Sequence, residues 1–475
     1  MPKYYITTPI FYVNAPPHIG HAFTSIAADV LARYHRQKGD EVFFQTGTDE
    51  HGVKIVRAAE AASEEPARFV DKIAETFNGL KELLNLSWDA FARTTDQKKH
   101  WPKVHEIWKK LDAAGDLYKK SYRGLYCVGH ETFVTEKDLE SGICRDHKAK
   151  PELIEEENWF FRLSKYTKQI EAIIKNNELR IIPETRKNEI LSLLKEGLED
   201  VSFSRPRKDL QWGIPVPGDE SQTVYVWCDA LVNYLDDEKV WPADAHVIGK
   251  DILRFHAAIW PGMLLSAGLP LPKSILVHGF ITVDGEKMSK TVGNIVDPFE
   301  LVKKYGTDAV RYYLLSEIPS GEDGDFSVEK FEARYNGNLA NGLGNFAART
   351  LTLASSAKLN SVVPQNEIKK ASETVKEKVE RAIVAFKLHE ALQAIWELIS
   401  FGDKYINENK PWEKSEAGNP KSEIIGNALY ILENVAELLK PFLPETAEKI
   451  LKAIEHGGDN TVTVRKIAPL FPRLP

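Results

Sequence analysis

Two short apolar segments near the start constrain the fold most. Residues 3–8 (Lys-Tyr-Tyr-Ile-Thr-Thr) and 41–46 (Glu-Val-Phe-Phe-Gln-Thr) are rich in aromatic and β-branched residues and read as buried strands. Between them, from about Pro17 to Lys38, Ile19, Ala22, Phe23, Ile26, Ala27, Val30 and Leu31 recur at helical spacing. Strand, helix, strand over so short a span requires a crossover, and therefore a parallel sheet with helices on its faces. Further strands are expected at Thr223–Cys228, His246–Gly249 and Ser274–Phe280, with a helix from about Asp251 to Leu265.

The intervening stretch has another texture, with two cysteines, two histidines and mixed charged helical pieces, and reads as an insertion. After about Phe326 strand signals stop and long helical periodicities take over, as in an all-helical bundle. The expected division is 1–114 and 221–325 as two halves of one α/β domain, 115–220 as an insertion between them, and 326–475 as a helical domain.

Composition removes several classes. With 43% hydrophobic residues among 475, the chain has enough apolar side chains to offset the entropy of ordering, so a disordered chain is excluded. Three cysteines, an odd number, exclude a disulfide scaffold and point to a reducing compartment. No secretory leader or membrane-length apolar run is visible, so the expectation is a cytoplasmic protein with no membrane partner. A net charge of −7 disfavours nonspecific duplex binding but leaves room for a local basic surface.

Two motifs carry phosphate chemistry. Pro17-His18-Ile19-Gly20-His21 follows a strand and opens a helix, where unpaired N–H groups and the positive dipole end suit an anion. Two imidazoles there can donate to phosphate oxygens, and Gly20 would let a planar base approach the backbone. Gly285-Glu286-Lys287-Met288-Ser289-Lys290-Thr291 follows the last strand, and its two lysines can clamp a polyphosphate and move with it. Singly each motif is weak, but together, in this order, they resemble the HIGH and KMSKS signatures of class I aminoacyl-tRNA synthetases. Here the second reads KMSKT, which keeps a hydroxyl at Thr291.

The wider context resembles the methionyl-tRNA synthetases over essentially the whole chain. The matching segments are Pro9–Asn14, Thr46-Gly47-Thr48-Asp49-Glu50-His51-Gly52, Val226-Trp227-Cys228-Asp229-Ala230-Leu231, and Gly249-Lys250-Asp251-Ile252 through Phe255-His256. The resemblance implies a Rossmann-like catalytic domain split by a connective insertion. It also implies a methionine site in which Asp49 and backbone near Ile10 hold the ammonium, and Tyr12, Trp227, Leu231, Tyr234 and His256 form the side-chain pocket. The thioether would meet the Ile10 N–H and the Tyr234 hydroxyl. An aromatic cage with one or two donors suits a polarisable, weakly accepting sulfur. Leu231 stands where many relatives have proline.

The implied reaction joins methionine to tRNA(Met) for initiation and elongation, through methionyl-adenylate formed from ATP with Mg2+. Positioning and electrostatic stabilisation would carry it, with no protein nucleophile. His18, His21, Lys287 and Lys290 are the expected catalytic contacts, and ATP would also meet Gly20, Asp251 and Ser289. Arg205 matches a family arginine that pairs with the carboxylate at Asp49, the alternative being a plain surface arginine.

Within the insertion, Cys127-x2-His130 and Cys144-x2-His147 have the spacing of a closed tetrahedral Zn2+ knuckle. A relic knuckle held by packing alone is the alternative. His130 departs from the family's common three-Cys, one-His set. In the helical region Asn341, Asn345 and Arg349 fall at i, i+4 and i+8 on one helix edge, and Trp412 supplies an aromatic. Asn and Arg can read unstacked bases and an aromatic can stack on one. These four match the family's anticodon-binding residues, while Asn341 and Asn345 could equally cap and pack.

A leucyl enzyme would need a large editing insertion, and a cysteinyl enzyme a pocket zinc between its signature motifs; neither fits. A non-catalytic RNA-binding paralogue would have no reason to keep the phosphate clamp. The closing segment Lys466–Arg473 resembles the end of the family's catalytic-plus-bundle core, from which a monomer is expected.

Overall fold

In the computed structural model, every residue is described except 130–131, 135–137, 146–147, 238, 289–292, 358, 361–363, 414–420 and 458–460. The chain forms two compact units: 1–17, 40–81 and 88–277 in the first, and 18–39, 82–87 and 278–475 in the second.

The first unit is built on a six-stranded sheet. Its strands are β1 (Lys3–Tyr12), β2 (Glu41–Asp49), β3 (Ala90–Arg93), β4 (Arg180–Ile182), β5 (Ala245–Gly249) and β6 (Ser274–His278), in the order β3-β2-β1-β5-β6-β4. The pairs β1·β2, β1·β5, β2·β3 and β6·β4 run parallel, as the strand–helix–strand opening requires. The β1·β2 register slips between Thr7 and Ile10, around Pro9. Proline has no N–H to give the ladder, so pairing breaks there and the bulge re-aims the residues that follow, Ile10 to Tyr12. Gly47 on β2 is required sterically, since a Cβ there would sit 2.2 Å from the Ala92 carbonyl oxygen of β3.

Three local expectations are corrected. Residues 223–228 are not one strand: Asp219–Val224 belongs to a three-stranded antiparallel sheet, and Val226–Val232 is a short helix. Tyr225, still extended at φ −65° and ψ 137°, is where strand gives way to helix. The helix expected from Asp251 is interrupted, running as a 3₁₀ turn over Lys250–Ile252, a π turn over Phe255–Ile259 and an α-helix over Trp260–Ser266. The insertion does contain helical pieces, Thr167–Lys175 and Glu184–Glu196, but it also holds an unexpected antiparallel pairing of Leu117–Cys127 along Glu152–Phe161, and it lends β4 to the parallel sheet's edge.

In the second unit the helix Ile19–Gln37 is buried along most of its length, and its Asp29 carboxylate meets the Arg311 guanidinium of helix Thr307–Glu317. A small sheet joins Ile281–Val283 to Glu286–Lys287 and to Gly324–Phe326. The helical region comprises Asn345–Ser355, Asn366–Val384, Leu388–Asn409, Lys421–Leu439 and Pro444–Lys452. Along Leu388–Asn409 the buried residues Leu388, Ala391, Leu392, Ile395, Leu398, Ile399, Gly402 and Ile406 make one apolar stripe, the face of an amphipathic helix. The region is not purely helical: Leu359–Asn360, Thr461–Val464 and Ile454–His456 form a small antiparallel sheet, too short for period-two patterning to register.

Candidate active site

In the first unit, five of the expected methionine residues, Tyr12, Trp227, Leu231, Tyr234 and His256, belong to or pack against one core. Leu231, Tyr234 and His256 are buried, while Ile10, Tyr12 and Trp227 are half-buried. Trp227 stacks on Phe255 with centroids 3.7 Å apart and planes 8° from parallel, and its edge meets His256 at 6.3 Å. His256 Nδ1 lies 3.0 Å from the Ile252 carbonyl oxygen, which can only accept, so that nitrogen carries a proton. Burial lowers the His256 pKa to about 4, so the ring is neutral at pH 7 and Nε2 is an acceptor. The Tyr234 hydroxyl, 2.7 Å away, therefore donates to His256 Nε2.

Asp49 ends β2 and is almost fully buried. Asp251 is exposed on the 3₁₀ turn after β5. Arg205 is buried, which removes the surface-arginine reading. Its Nη1 donates to Ser202 Oγ at 2.8 Å and to the Ser204 carbonyl at 2.7 Å, and its guanidinium lies over the Tyr225 ring at 4.7 Å.

A set of buried polar residues around this core carries no expectation from the sequence. His51 Nδ1 donates to Asp229 Oδ2 at 2.7 Å, His100 Nε2 to Asp229 Oδ1 at 2.7 Å, and His100 Nδ1 to Asp236 Oδ1 at 3.1 Å. Although burial opposes charge on His100, hydrogen bonds to both carboxylates raise its pKa to about 10. Burial likewise opposes charge on Asp229, but His51 and His100 hold it below the ordinary carboxylate range. Glu50 is fully buried and accepts from Thr48 Oγ1, Thr95 Oγ1 and the Arg93 guanidinium. A single acid inside Val226–Val232, otherwise apolar or aromatic, was the available signal, because an isolated buried carboxylate demands partners.

In the second unit, the start of helix Ile19–Gln37 is capped by its own motif. His18 Nδ1 accepts the Gly20 N–H at 3.1 Å, and His21 Nδ1 accepts the His18 N–H at 3.1 Å, a capping box made of two imidazoles. Burial lowers the His18 pKa to about 4; burial, and then His18, push His21 well below its usual value. Both rings are neutral at pH 7, and with Nδ1 accepting in each, the proton sits on Nε2. The motif thus presents two Nε2–H donors at a helix N-terminus.

Gly20 has a reason beyond access for a base: a Cβ there would lie 2.8 Å from His18 Cε1 and 3.0 Å from its Nδ1, with the Met288 methyl at 3.8 Å. The Ile19 N–H donates to the Val296 carbonyl at 3.1 Å, tying the helix start to the segment following the KMSKT loop. Lys287 is exposed, with its ammonium 5.1 Å from the Phe280 ring centroid. Ser289, Lys290 and Thr291 lie outside the described residues.

At the knuckle, Cys127 and Cys144 are both buried in one small cluster with Val134. Two thiols side by side fit the soft half of a tetrahedral zinc site. His130 and His147 lie outside the described residues. Among the described residues no group of three or more His, Cys, Asp or Glu is placed to hold a metal.

In the helical region Arg349 donates to Asp403 Oδ1 and Asn407 Oδ1, each at 2.7 Å, and sits 5.5 Å from the Trp412 ring centroid. Trp412 is 50% exposed, and Asn341 and Asn345 are exposed. The expected i, i+4, i+8 edge is altered, because Tyr335–Gly344 is a π-helix and only Asn345 onward is α-helical. A π turn closes over five residues, so a four-residue step from Asn341 falls short of a full turn.

A parallel-sheet domain, an imidazole-capped helix followed by a lysine loop, and a helical region define a class I tRNA synthetase. The family model described as tRNA synthetases class I (M) matches residues 4–146 and 134–351, and that of the anticodon-binding domain of tRNA ligase matches 366–472. The methionine--tRNA ligase of Thermotoga maritima is 42% identical over 95% of this chain and 75% of its own length; that of Brucella suis is 41% identical over 96% and 92%. The structure of Mycobacterium tuberculosis methionyl-tRNA synthetase in complex with methionyl-adenylate superposes with a TM-score of 0.93 at 38% identity, covering 100% of both chains. The chain belongs to the methionine--tRNA ligases. Among the described residues no helix is long and apolar enough to cross a membrane.

Proposed function

We propose that this methionine--tRNA ligase works through the residues assembled above. The methionine carboxylate attacks the α-phosphate of Mg-ATP in line, the bond to pyrophosphate breaks, and methionyl-adenylate remains. The 2′-hydroxyl of the terminal adenosine of tRNA(Met) then attacks the acyl carbon and AMP leaves. His18 and His21 donate from Nε2 to the phosphates, Lys287, Ser289 and Lys290 clamp the departing pyrophosphate, and Asp251 holds the ribose, with Gly20 beneath the nucleotide. Asp49 and Ile10 hold the ammonium, Arg205 pairs with Asp49, and Tyr12, Trp227, Leu231, Tyr234 and His256 enclose the side chain. The observation that carries this reading is the double imidazole cap, whose geometry leaves protons on both Nε2 atoms. Donors fixed before charge develops need no reorganisation as it appears, which is how such groups lower a barrier.

ATP–pyrophosphate exchange with each amino acid in turn tests the reading. Methionine alone should support exchange, and Lys290→Ala should lower it severely while methionine affinity stays near normal. Unchanged exchange in that variant overturns the assignment.

The anticodon is read by Asn341, Asn345, Arg349 and Trp412. Cys127, His130, Cys144 and His147 hold one structural Zn2+, supported by the shared burial of the two thiols. Four protein ligands leave no open position, so the ion organises the insertion and takes no part in the chemistry. Metal analysis after chelator washing should find close to one equivalent, and less than a tenth would favour a relic knuckle. Three thiols without a disulfide support a reducing, cytoplasmic location.

A further inference from the structure

The helix Val226–Val232 carries two of the proposed pocket residues, and although it is packed into the core it has little of its own to fix its register. It is seven residues long, and Tyr225 at its N-cap makes no side-chain cap bond. A helix of under two full turns is not stable on its own, so its position is set by what grips it. Trp227 and Leu231 stand four apart and share one face, whereas Asp229, two residues from each, points to the other.

That rear carboxylate is gripped on both oxygens. His51, two residues after Asp49, takes Oδ2, and His100 takes Oδ1. The other nitrogen of His100 reaches Asp236, one residue past the 3₁₀ turn Asn233–Leu235 that contains Tyr234. A ring between two carboxylate acceptors must donate from both nitrogens, so His100 is an imidazolium. One buried cation thereby clasps both ends of the segment 229–236, and His51 links it to the loop that follows Asp49 at the end of β2.

We propose that His51, Asp229 and His100 are positioning residues for methionine, holding the Trp227–Tyr234 wall in register with the Asp49 loop through hydrogen bonds rather than ring bulk. The proposal rests on the pocket reading given above. It predicts an effect confined to the amino acid: a wall released by loss of one donor loses fit to methionine, while the imidazole cap and its phosphate contacts are untouched.

His51 is the point of test, because its link to Asp229 can be removed or kept. Asparagine places an N–H near the position of Nδ1; leucine fills space and donates nothing. In ATP–pyrophosphate exchange, His51→Leu should raise the KM for methionine at least tenfold, with the KM for ATP within twofold of wild type. His51→Asn, although smaller, should stay within threefold for both. Equal damage from the two variants, or a parallel rise in both KM values, overturns the proposal and assigns the ring a packing role. If His51→Leu fails to fold, His100→Asn, which keeps a donor toward Asp236 and loses the one toward Asp229, decides by the same split in the same assay. Trp227→Ala separates this proposal from the pocket reading. A raised methionine KM there beside wild-type behaviour of His51→Leu overturns positioning alone, and wild-type behaviour of both overturns the pocket.

Discussion

Asp29 and Arg311 meet at 2.8 Å with neither side chain exposed to solvent. The pair is saturated. Arg311 also donates from Nε to the Phe442 carbonyl, from Nη1 to Leu84 and from Nη2 to Pro441, and Asp29 accepts from the Ser87 N–H and hydroxyl and from Arg33. One guanidinium thus fastens the helix that begins with the HIGH motif to the turn ahead of helix Pro444–Lys452.

Arg311→Met should destabilise the protein strongly, because it leaves the buried Asp29 carboxylate with Arg33 as its one remaining cation and three carbonyls without their donors. Breaking a buried pair from one side costs about 3–5 kcal/mol. Arg311→Lys should cost less, since an ammonium keeps the charge but cannot span four acceptors. Chemical denaturation of the three proteins checks the ranking, and equal midpoints would show that the pair is not structural.

Gly20→Ala should disable activation without unfolding the helix. The new methyl takes the space of the His18 ring, whose Cε1 would lie 2.8 Å away, so the ring must leave its cap. Loss of one preorganised donor lowers kcat by on the order of 100-fold. Pyrophosphate exchange measures the loss, and circular dichroism should show the helix content unchanged.

The stability of the first unit should fall in alkali. The His100 pKa is raised in the fold to about 10 from an ordinary value near 6.5, so its contribution is complete below the lower value and lost as pH rises through the upper. Asp229 has the opposite sign: held below its usual range, it contributes above that range and fails in acid. Melting temperature measured from pH 7 to 10 should decline in the wild type, and His100→Gln should flatten that limb.

Trp412→Ala should cripple aminoacylation and spare pyrophosphate exchange. The indole is half exposed with Arg349 against it, an arrangement suited to stacking a base. Base–aromatic stacking is worth about 1–3 kcal/mol, so a loss of roughly 10- to 100-fold in kcat/KM for tRNA is expected. Equal loss in both assays would give Trp412 a folding role.

The parallel sheet is legible in the sequence because β1 and β2 are apolar and separated by one stretch of helical periodicity, Ile19–Gln37. The pocket residues are legible only as a set, since no single Tyr or Trp distinguishes a wall from a core. Thr223–Cys228 reads as one strand because an apolar run of that length has no decisive period, and the helix that instead begins at Val226 depends on Asp229 meeting histidines 178 and 129 residues away in sequence. Arg311 is invisible for the same reason: its partners Asp29, Leu84, Pro441 and Phe442 come together only in three dimensions. The π turn ahead of Asn345 is hidden because a widened turn leaves helical composition unchanged.

The imidazole cap changes what the HIGH motif is as a unit of sequence. Its first letter closes on its third and its fourth closes on its first, so three of the four positions are interlocked through the first histidine rather than being separate requirements. A substitution at the glycine is in effect a substitution of the first histidine, delivered from two residues away. Loss of the second histidine would likewise release the amide of the first, so a defect at any polar corner should spread to the others.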